Sequence, residues 1–537
     1  MNDSAPKTDL DAQVEQATTI TDIIRLRGNG GGEATAFTFG DEVMNFAEFD
    51  AGSNRAAHAL AAMGVKKGDR IAFLGKNHHL YFEALAGAAK LGAVMTPVNW
   101  RLAPPEVAYI LDNCEAEIVF VAEGFAEVLA KIRRSTPRVR EVIGIDATDA
   151  PELTDYRTWR DAHQPIDPAL EIGQNDEVLQ LYTSGTTGRP KGAVMTHLSL
   201  LAGRGNAQTK QREWQERIPD DVSLVAMPCF HISGTGNGLA NIVSGTNSIV
   251  LPEYDPTQAL ELMERYPISK LFLVPAAIQI LLNHPRAREV DFSNLKYITY
   301  GASPIPLELM KEAMQVLGCG FIQMYGMTET SGTITALDPD DHVAEGSPKM
   351  ASVGTALPGV ELRVLDEQGN MLPAGKIGEI ATRSAKNMKG YWRLDEATSE
   401  TIDGEGWLRT GDAGYLDEDG YLYIRDRVKD MIISGGENVY PAEVENALYA
   451  HPSVADVAVI GVPHEKWGEA VKACVVMKEG ETLTEADLIA HAREHIAGYK
   501  CPKSIDFIEV LPRNPSGKIL RRELRAPYWE GKDKAVN

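Results

Sequence analysis

Thr183-Ser184-Gly185-Thr186-Thr187-Gly188-Arg189-Pro190-Lys191-Gly192 lies between the apolar run Val178-Leu179-Gln180-Leu181-Tyr182 and a second apolar piece, Ala193-Val194-Met195. The first run reads as a buried strand, the second as resumed extended structure, and Leu198 to Ala207 as helix-like. Glycine lets backbone N–H groups approach a polyanion, hydroxyls donate further hydrogen bonds, and Lys191 adds a point charge, so this loop suits phosphate. Its spacing is not the Gly-x-x-x-x-Gly-Lys-Ser/Thr of a Walker A loop, which disfavours a GTPase or an ordinary P-loop ATPase. Any four of these residues would pass for a solvated turn; the whole run in this order would not.

The chain around the loop has 537 residues, enough for more than one domain, with 44% hydrophobic and 24% charged residues, ordinary globular material. A net charge of −23 argues against a nucleic-acid partner. The five cysteines, Cys114, Cys229, Cys319, Cys474 and Cys501, form no C-x-x-C pair and read as thiols in a reducing compartment. Met1 to Gln16 is polar with no signal-peptide core, and no apolar run is long enough to span a bilayer. The expectation is a soluble cytoplasmic protein.

From the N-terminus, residues 1 to about 20 read as a loose arm and Gly28-Asn29-Gly30-Gly31-Gly32 as a turn. Asn54 to Met63 is alanine-rich and ends at Gly64, Arg70 to Leu74 is strand-like, His79 to Leu91 is helical up to Gly92, and Glu117 to Val121 is strand-like. This alternation implies a parallel sheet covered by helices. It resumes with strand Lys270 to Val274, helix Ala276 to Asn283, strand Lys296 to Tyr300, helix Pro306 to Leu317 and strand Gly320 to Met324. Two loops then follow strand ends, where such sheets bind ligands: Gly301-Ala302-Ser303-Pro304 and Tyr325-Gly326-Met327-Thr328-Glu329. From Val353 to Tyr423, short β pieces at Glu361 to Leu365, Gly378 to Thr382 and Gly420 to Ile424 suit a small barrel-like layer. Beyond Arg427 the texture is α+β, with helices Ala442 to Tyr449 and Glu485 to Ile496 and strands Val454 to Val462, Ala470 to Met477 and Ile505 to Val510. The fold class expected is α/β: residues 1–428 as helix-flanked, parallel-rich sheets plus the β layer, and residues 429–537 as a smaller α+β lid.

The phosphate-type loop resembles that of the adenylate-forming superfamily, which holds acyl-CoA synthetases, amino-acid adenylation domains and beetle luciferases. Further signatures stand in family order at Tyr325 to Glu329, Arg409-Thr410-Gly411-Asp412, Asp426 to Pro441 and Pro512 to Leu520, so the resemblance spans most of the chain. It implies two half-reactions: a carboxylate attacks the α-phosphorus of ATP to give acyl-AMP and pyrophosphate, then a thiol displaces AMP. The first needs no general base, since a carboxylate is ionised at neutral pH. It needs positive charge and fixed N–H donors. The resemblance assigns phosphate contacts to Thr183, Ser184, Gly185, Thr186, Thr187, Gly188, Lys191 and Thr328. It makes Lys518 the catalytic cation and Glu329 the magnesium carboxylate. Gly301, Ala302, Ser303, Tyr325 and Gly326 fall to the adenine and acyl side, Asp412 and Arg427 to the ribose. Lys429 stands at the hinge of a mobile lid, and Gly435 and Gly436 at the pantetheine channel. His231 is the gate between the acyl pocket and the thiol tunnel. Without the resemblance, Lys518 would be one cation among Arg513, Arg521, Arg522 and Arg525 on a solvated face, Thr328 a helix cap, and His231 a core histidine.

ATP, Mg2+ and coenzyme A are therefore the expected small molecules, with a carboxylic acid as substrate and a homodimer as the assembly left open. Phe230-His231-Ile232 offers no carboxylate for a substrate ammonium, which disfavours an α-amino acid. Ser233, Gly234, Val274, Met327 and Gly332 join Gly301, Ala302 and Gly326 as candidate pocket residues, mostly small or apolar, suiting a sizeable acyl or aryl chain. The general look is of medium- or long-chain fatty acyl-CoA ligases. Aryl, sterol-side-chain and carrier-protein-loading ligases are alternatives, and a nucleotide-binding regulatory protein is the reading from another class.

Overall fold

Helix His79–Leu91 is buried along its whole length, and that burial organises the larger part of the molecule. A helix buried on all sides has no face for water and must be covered on both, and its two charged side chains, Glu83 and Lys90, are paired with Arg160 and Asp50. One cover is a nine-stranded sheet: Phe82 stacks on Phe37 of strand Thr35–Phe39 with ring centroids 5.2 Å apart. The other is an eight-stranded sheet: Tyr81 lies 4.9 Å from Phe73 of strand Arg70–Leu74. His78 caps the helix through its ring acceptor, and Gly92 ends it with φ +73°. The computed structural model describes residues 8–183, 189–203, 212–215, 220–343, 346–427, 430–434, 437–464, 467–513 and 519–530.

In the nine-stranded sheet the strands run Thr355–Ala356, Gly332–Leu337, Gly320–Met327, Tyr297–Gly301, Lys270–Leu273, Val222–Val225, Asn247–Val250, Thr35–Phe39, Glu42–Asn45. Pairing is parallel through the middle and antiparallel at both ends. The eight-stranded sheet is parallel except where Lys191–Thr196 turns back along Glu177–Thr183 and Gly390–Tyr391 pairs with Lys191–Thr196. The expected β layer is a four-stranded antiparallel sheet, Val360–Leu365, Gly378–Ser384, Leu408–Leu416, Leu422–Arg427. The C-terminal part has its own core around Val444, Val459, Val471 and Leu488, under a five-stranded sheet with helices Pro441–Tyr449 and Glu485–His495. Parallel-rich sheets, a β layer and a smaller α+β unit are the architecture anticipated from the sequence.

Three local readings differ from the expectation. The arm is ordered from Thr8: helix Asp9–Gln16 carries a capping box between Thr8 and Asp11, buries Val14, and pairs Asp11 with Arg27 at 3.2 Å. The glycine run is no simple turn, because Gly28 to Gly30 close helix Ile20–Gly30; a Cβ on Gly28 would lie 2.6 Å from Asp50 Cβ, so the glycine admits close helix packing. Strand Gly320–Met327 extends through Tyr325, Gly326 and Met327, which were expected in a loop. They pair with Gly332–Leu337, and a Cβ on Gly326 would meet the Gly332 carbonyl at 2.0 Å. The helix expected from Leu198 is His197–Leu201, and residues 204–210 lie outside the described residues.

Candidate active site

The two ends of the phosphate-type loop meet across a hairpin, Thr183 opposite Lys191. Ser184, Gly185, Thr186, Thr187 and Gly188 between them lie outside the described residues. Both ends converge on Glu329, which sits in a 3₁₀ turn, Thr328–Thr330, just past strand Gly320–Met327. Glu329 is only 6% exposed. Its Oε1 accepts from Tyr391 Oη at 2.9 Å and from Thr183 Oγ1 at a long 3.4 Å. Lys191 Nζ stands 4.9 Å from the centre of the Tyr391 ring. A buried carboxylate ringed by hydroxyls, with a lysine nearby, is a donor set suited to a hard divalent cation beside phosphate oxygens. The capping hydroxyl of the turn is that of Thr330, which accepts from the Met327 N–H at 3.0 Å, so Thr328 is not held there as a helix cap.

Tyr391 did not figure in the sequence reading. Its signal was present in Lys389-Gly390-Tyr391-Trp392, but its importance depends on pairing that only the fold provides. Lys389 and Trp392 N–H groups donate to the carbonyls of Val194 and Gly192 at 2.8 Å each, fastening this segment along the phosphate hairpin. Met388 N–H donates to the Glu329 carbonyl at 2.8 Å, so the same segment also grips the acidic turn. Nearby, Lys386 is buried with Nζ donating to the Ala202 carbonyl at 3.3 Å, and burial pushes its ammonium down to about 8.

On the other side of the turn, Tyr325 Oη donates to Asp412 Oδ2 at 2.7 Å. Asp412 is buried in strand Leu408–Leu416, opposite Arg427 of the next strand. Arg427 is placed by its backbone alone, its side chain lying outside the described residues. Gly301 closes its strand so tightly against Met324 that a Cβ would meet the Met324 carbonyl at 2.1 Å. Ala302 follows with φ +68°, a left-handed conformation that L-residues seldom adopt and that clusters at ligand sites. Ser303 continues that exposed turn. Tyr325, Gly326, Gly301, Ala302 and Asp412 therefore border one region beside Glu329.

His231 begins helix Ile232–Ser244. Asn77 holds the segment before it, donating to the carbonyls of Met227 and Leu251 at 3.0 Å each and accepting from the Cys229 N–H at 2.8 Å. His231 Nε2 is buried with no hydrogen-bond partner among the described residues, and burial with the Arg101 charge pushes the imidazole down to about 4. The ring packs on Phe230 at 4.6 Å, and Phe230 meets Trp100 edge-on at 6.5 Å. A Cβ on Gly332 would lie 3.5 Å from Ile232, which brings this helix start to the nucleotide-side hairpin. Burial in this aromatic corner disfavours the charged imidazolium, so the ring sits there as a neutral side chain. Gly234 does not widen a pocket: it lets the helix approach the carbonyls of Pro228 and Met227. Lys429, Gly435, Gly436 and Lys518 lie outside the described residues, so their assigned roles rest on the sequence. What the geometry can do is bind a polyphosphate, hold a cation beside it, and place an adjacent apolar corner next to the reacting end.

The AMP-binding enzyme family model matches residues 25–392, and the AMP-binding enzyme C-terminal domain model matches residues 443–518. A fatty acid–[acyl-carrier-protein] ligase, ScoC, of Streptomyces coeruleorubidus is 41% identical over 90% of this chain and 92% of its own. A feruloyl-CoA synthase of an Amycolatopsis species is 39% identical over 92% of this chain and 96% of its own. ATP-bound MatB from Rhodopseudomonas palustris superposes with a TM-score of 0.86 at 31% identity, covering 96% of this chain and 100% of that one. With two family models spanning most of its length and relatives named as acid–thiol ligases at about 40% identity, the chain belongs to the AMP-binding, adenylate-forming enzymes, as an AMP-forming acid–thiol ligase of the acyl-CoA synthetase type.

Proposed function

We propose that the protein converts a fatty acid, ATP and coenzyme A to fatty acyl-CoA, AMP and pyrophosphate through acyl-AMP. The observation that carries this is the convergence of the Thr183 and Tyr391 hydroxyls on buried Glu329, with Lys191 against the Tyr391 ring and the helix that His231 begins reaching Gly332, just past the same turn. One carboxylate oxygen attacks the α-phosphorus, and the bond from that phosphorus to the bridging oxygen breaks to release pyrophosphate. The thiolate of coenzyme A then attacks the acyl carbon, AMP leaves with the shared oxygen, and the thiol proton goes to solvent.

Lys191 and the loop hydroxyls hold the phosphates, and Asp412 accepts from the ribose hydroxyls while Tyr325 fixes its orientation. Lys518 neutralises the oxygens at the reacting phosphorus from a lid formed by residues 429–537, turning about Lys429. The second step then brings Gly435 and Gly436 to the pantetheine. His231, neutral and with no partner for Nε2 among the described residues, opens and closes the way between acyl corner and thiol. Glu329 and the Thr183 hydroxyl suit Mg2+ as hard oxygen ligands. When bound, that ion neutralises phosphate charge.

Free cysteines throughout and the need for ATP and coenzyme A point to the cytoplasm; a homodimer is the assembly to test by light scattering. Similarity to ScoC supports a second reading, transfer to a carrier protein, and similarity to a feruloyl-CoA synthase supports an aryl acid. A pyrophosphate-release screen across fatty, aryl-propenoic and short acids, repeated with coenzyme A and with phosphopantetheinyl carrier protein, separates these. The primary reading expects fastest turnover with a fatty acid and coenzyme A; preference for another acid or acceptor transfers the assignment to it.

A further inference from the structure

The C-terminal unit carries a second group of ligand-type side chains, outside the nucleotide site. On helix Glu485–His495, residues His491, Glu494 and His495 are spaced so that all three share one face. One ligand atom from each lies within 4.8 Å of the others. The two imidazole rings are 4.5 Å apart. His495 Nδ1 donates to the His491 carbonyl at 2.9 Å. A carbonyl cannot donate, so the proton sits on Nδ1 and the Nε2 lone pair points outward, the tautomer that a backbone-anchored metal ligand adopts. His491 Nε2 is buried with no hydrogen-bond partner among the described residues, although the rest of its residue reaches the surface.

The neighbouring helix completes the arrangement without competing for it. His451, just beyond helix Pro441–Tyr449, stands edge-on to His491 with centroids 5.0 Å apart and planes at 88°. Its Nδ1 accepts from the Ser453 N–H at 3.2 Å, so its proton lies on Nε2 and it serves as a wall. Glu494 and His495 are exposed, leaving water to fill the remaining positions.

We propose that His491, Glu494 and His495 form a surface binding site for one divalent d-block ion of the Zn2+, Co2+ or Ni2+ type. Two imidazoles and one carboxylate select such ions over Mg2+, which takes oxygen ligands and gives up its waters reluctantly. This ion is distinct from the cation at the nucleotide site. It bridges successive turns of one helix, so its binding stabilises the C-terminal unit, and the gain rises with the logarithm of ion concentration once that exceeds the dissociation constant.

The test titrates the full-length protein, with any histidine tag removed, with Co2+ read by visible absorption, then with Zn2+ in competition. One equivalent of Co2+ bound in the micromolar range, displaced by Zn2+ and lost in His495→Gln, is the expected result. Glu494→Gln, also at an exposed position, should weaken binding while leaving the metal-free melting temperature unchanged. Zn2+ should raise the melting temperature of the unsubstituted protein and not that of His495→Gln. Absence of Co2+ binding, or the same stoichiometry and affinity in both variants, overturns the site.

Discussion

Glu329 is the residue whose removal should separate chemistry from folding. Its carboxylate is buried against two hydroxyls, and Glu329→Gln keeps both the shape and an acceptor oxygen. Adenylation, read as acid-dependent pyrophosphate exchange, should fall by about 100-fold, the usual loss when one charge-stabilising group is removed; retention of full exchange would remove Glu329 from the site. Buried histidines whose pKa burial lowers, among them His79, His197, His231 and His342, set a pH dependence. His197 accepts from the Ile20 N–H at 3.2 Å, its Nε2 is buried without a partner among the described residues, and burial pushes it down to about 4, as it does His231. The unfolded chain takes up these protons near pH 6.5, so the stability from keeping each ring neutral is complete above that pH and is lost as pH falls toward about 4. The effect is on the order of 3 kcal/mol per histidine. Thermal melts between pH 7 and pH 4 should therefore decline less steeply in His197→Gln; identical slopes would contradict the assignment.

At the scale of elements, the paired strands Gly320–Met327 and Gly332–Leu337 set the position of Glu329. Gly326→Ala would press a methyl into the Gly332 carbonyl. It should lower adenylation and raise the KM for ATP while costing about 1–3 kcal/mol by overpacking, measurable by denaturant melts. Phe82→Ala, in the helix buried between the sheets, should cost about 3–5 kcal/mol and spare the KM of whatever protein remains folded. These elements also show where sequence was readable. His79–Leu91 and Leu307–Leu317 were evident from apolar spacing and from Gly92 and Gly318, which stop them with positive φ. Helix Asp9–Gln16 was hidden because its composition is polar and its only buried residue is Val14; its capping box was the available sign. The helical glycines Gly28 and Gly30 were misleading because close packing, of Gly28 on Asp50 and of Gly30 on Leu10, explains them rather than turn chemistry. Tyr391 could not be singled out, since a two-residue strand has no periodicity and its partners Glu329 and Lys191 are distant in sequence.

For the molecule as a whole, the proposed mechanism needs a body, residues 1–428, to hold ATP and acid and a lid, residues 429–537, to deliver the Lys518 cation. The body and lid meet where Gln279 Nε2 donates to Tyr449 Oη at 3.1 Å. Lys518→Ala should abolish acyl-AMP formation yet spare much of thioester formation from supplied acyl-AMP, whereas Lys429→Pro should preserve acyl-AMP formation yet slow thioester formation. Parallel loss of both half-reactions in each variant would contradict a lid that serves two steps in turn. The central claim is that the acid's own oxygen attacks the α-phosphorus. A single turnover with a fatty acid carrying 18O in its carboxyl group, ATP, Mg2+ and coenzyme A tests this directly when AMP, pyrophosphate and phosphate are weighed by mass spectrometry. Attack by the acid's oxygen leaves one 18O in AMP and none in pyrophosphate; unlabelled AMP, or label in phosphate or pyrophosphate, would contradict that attack.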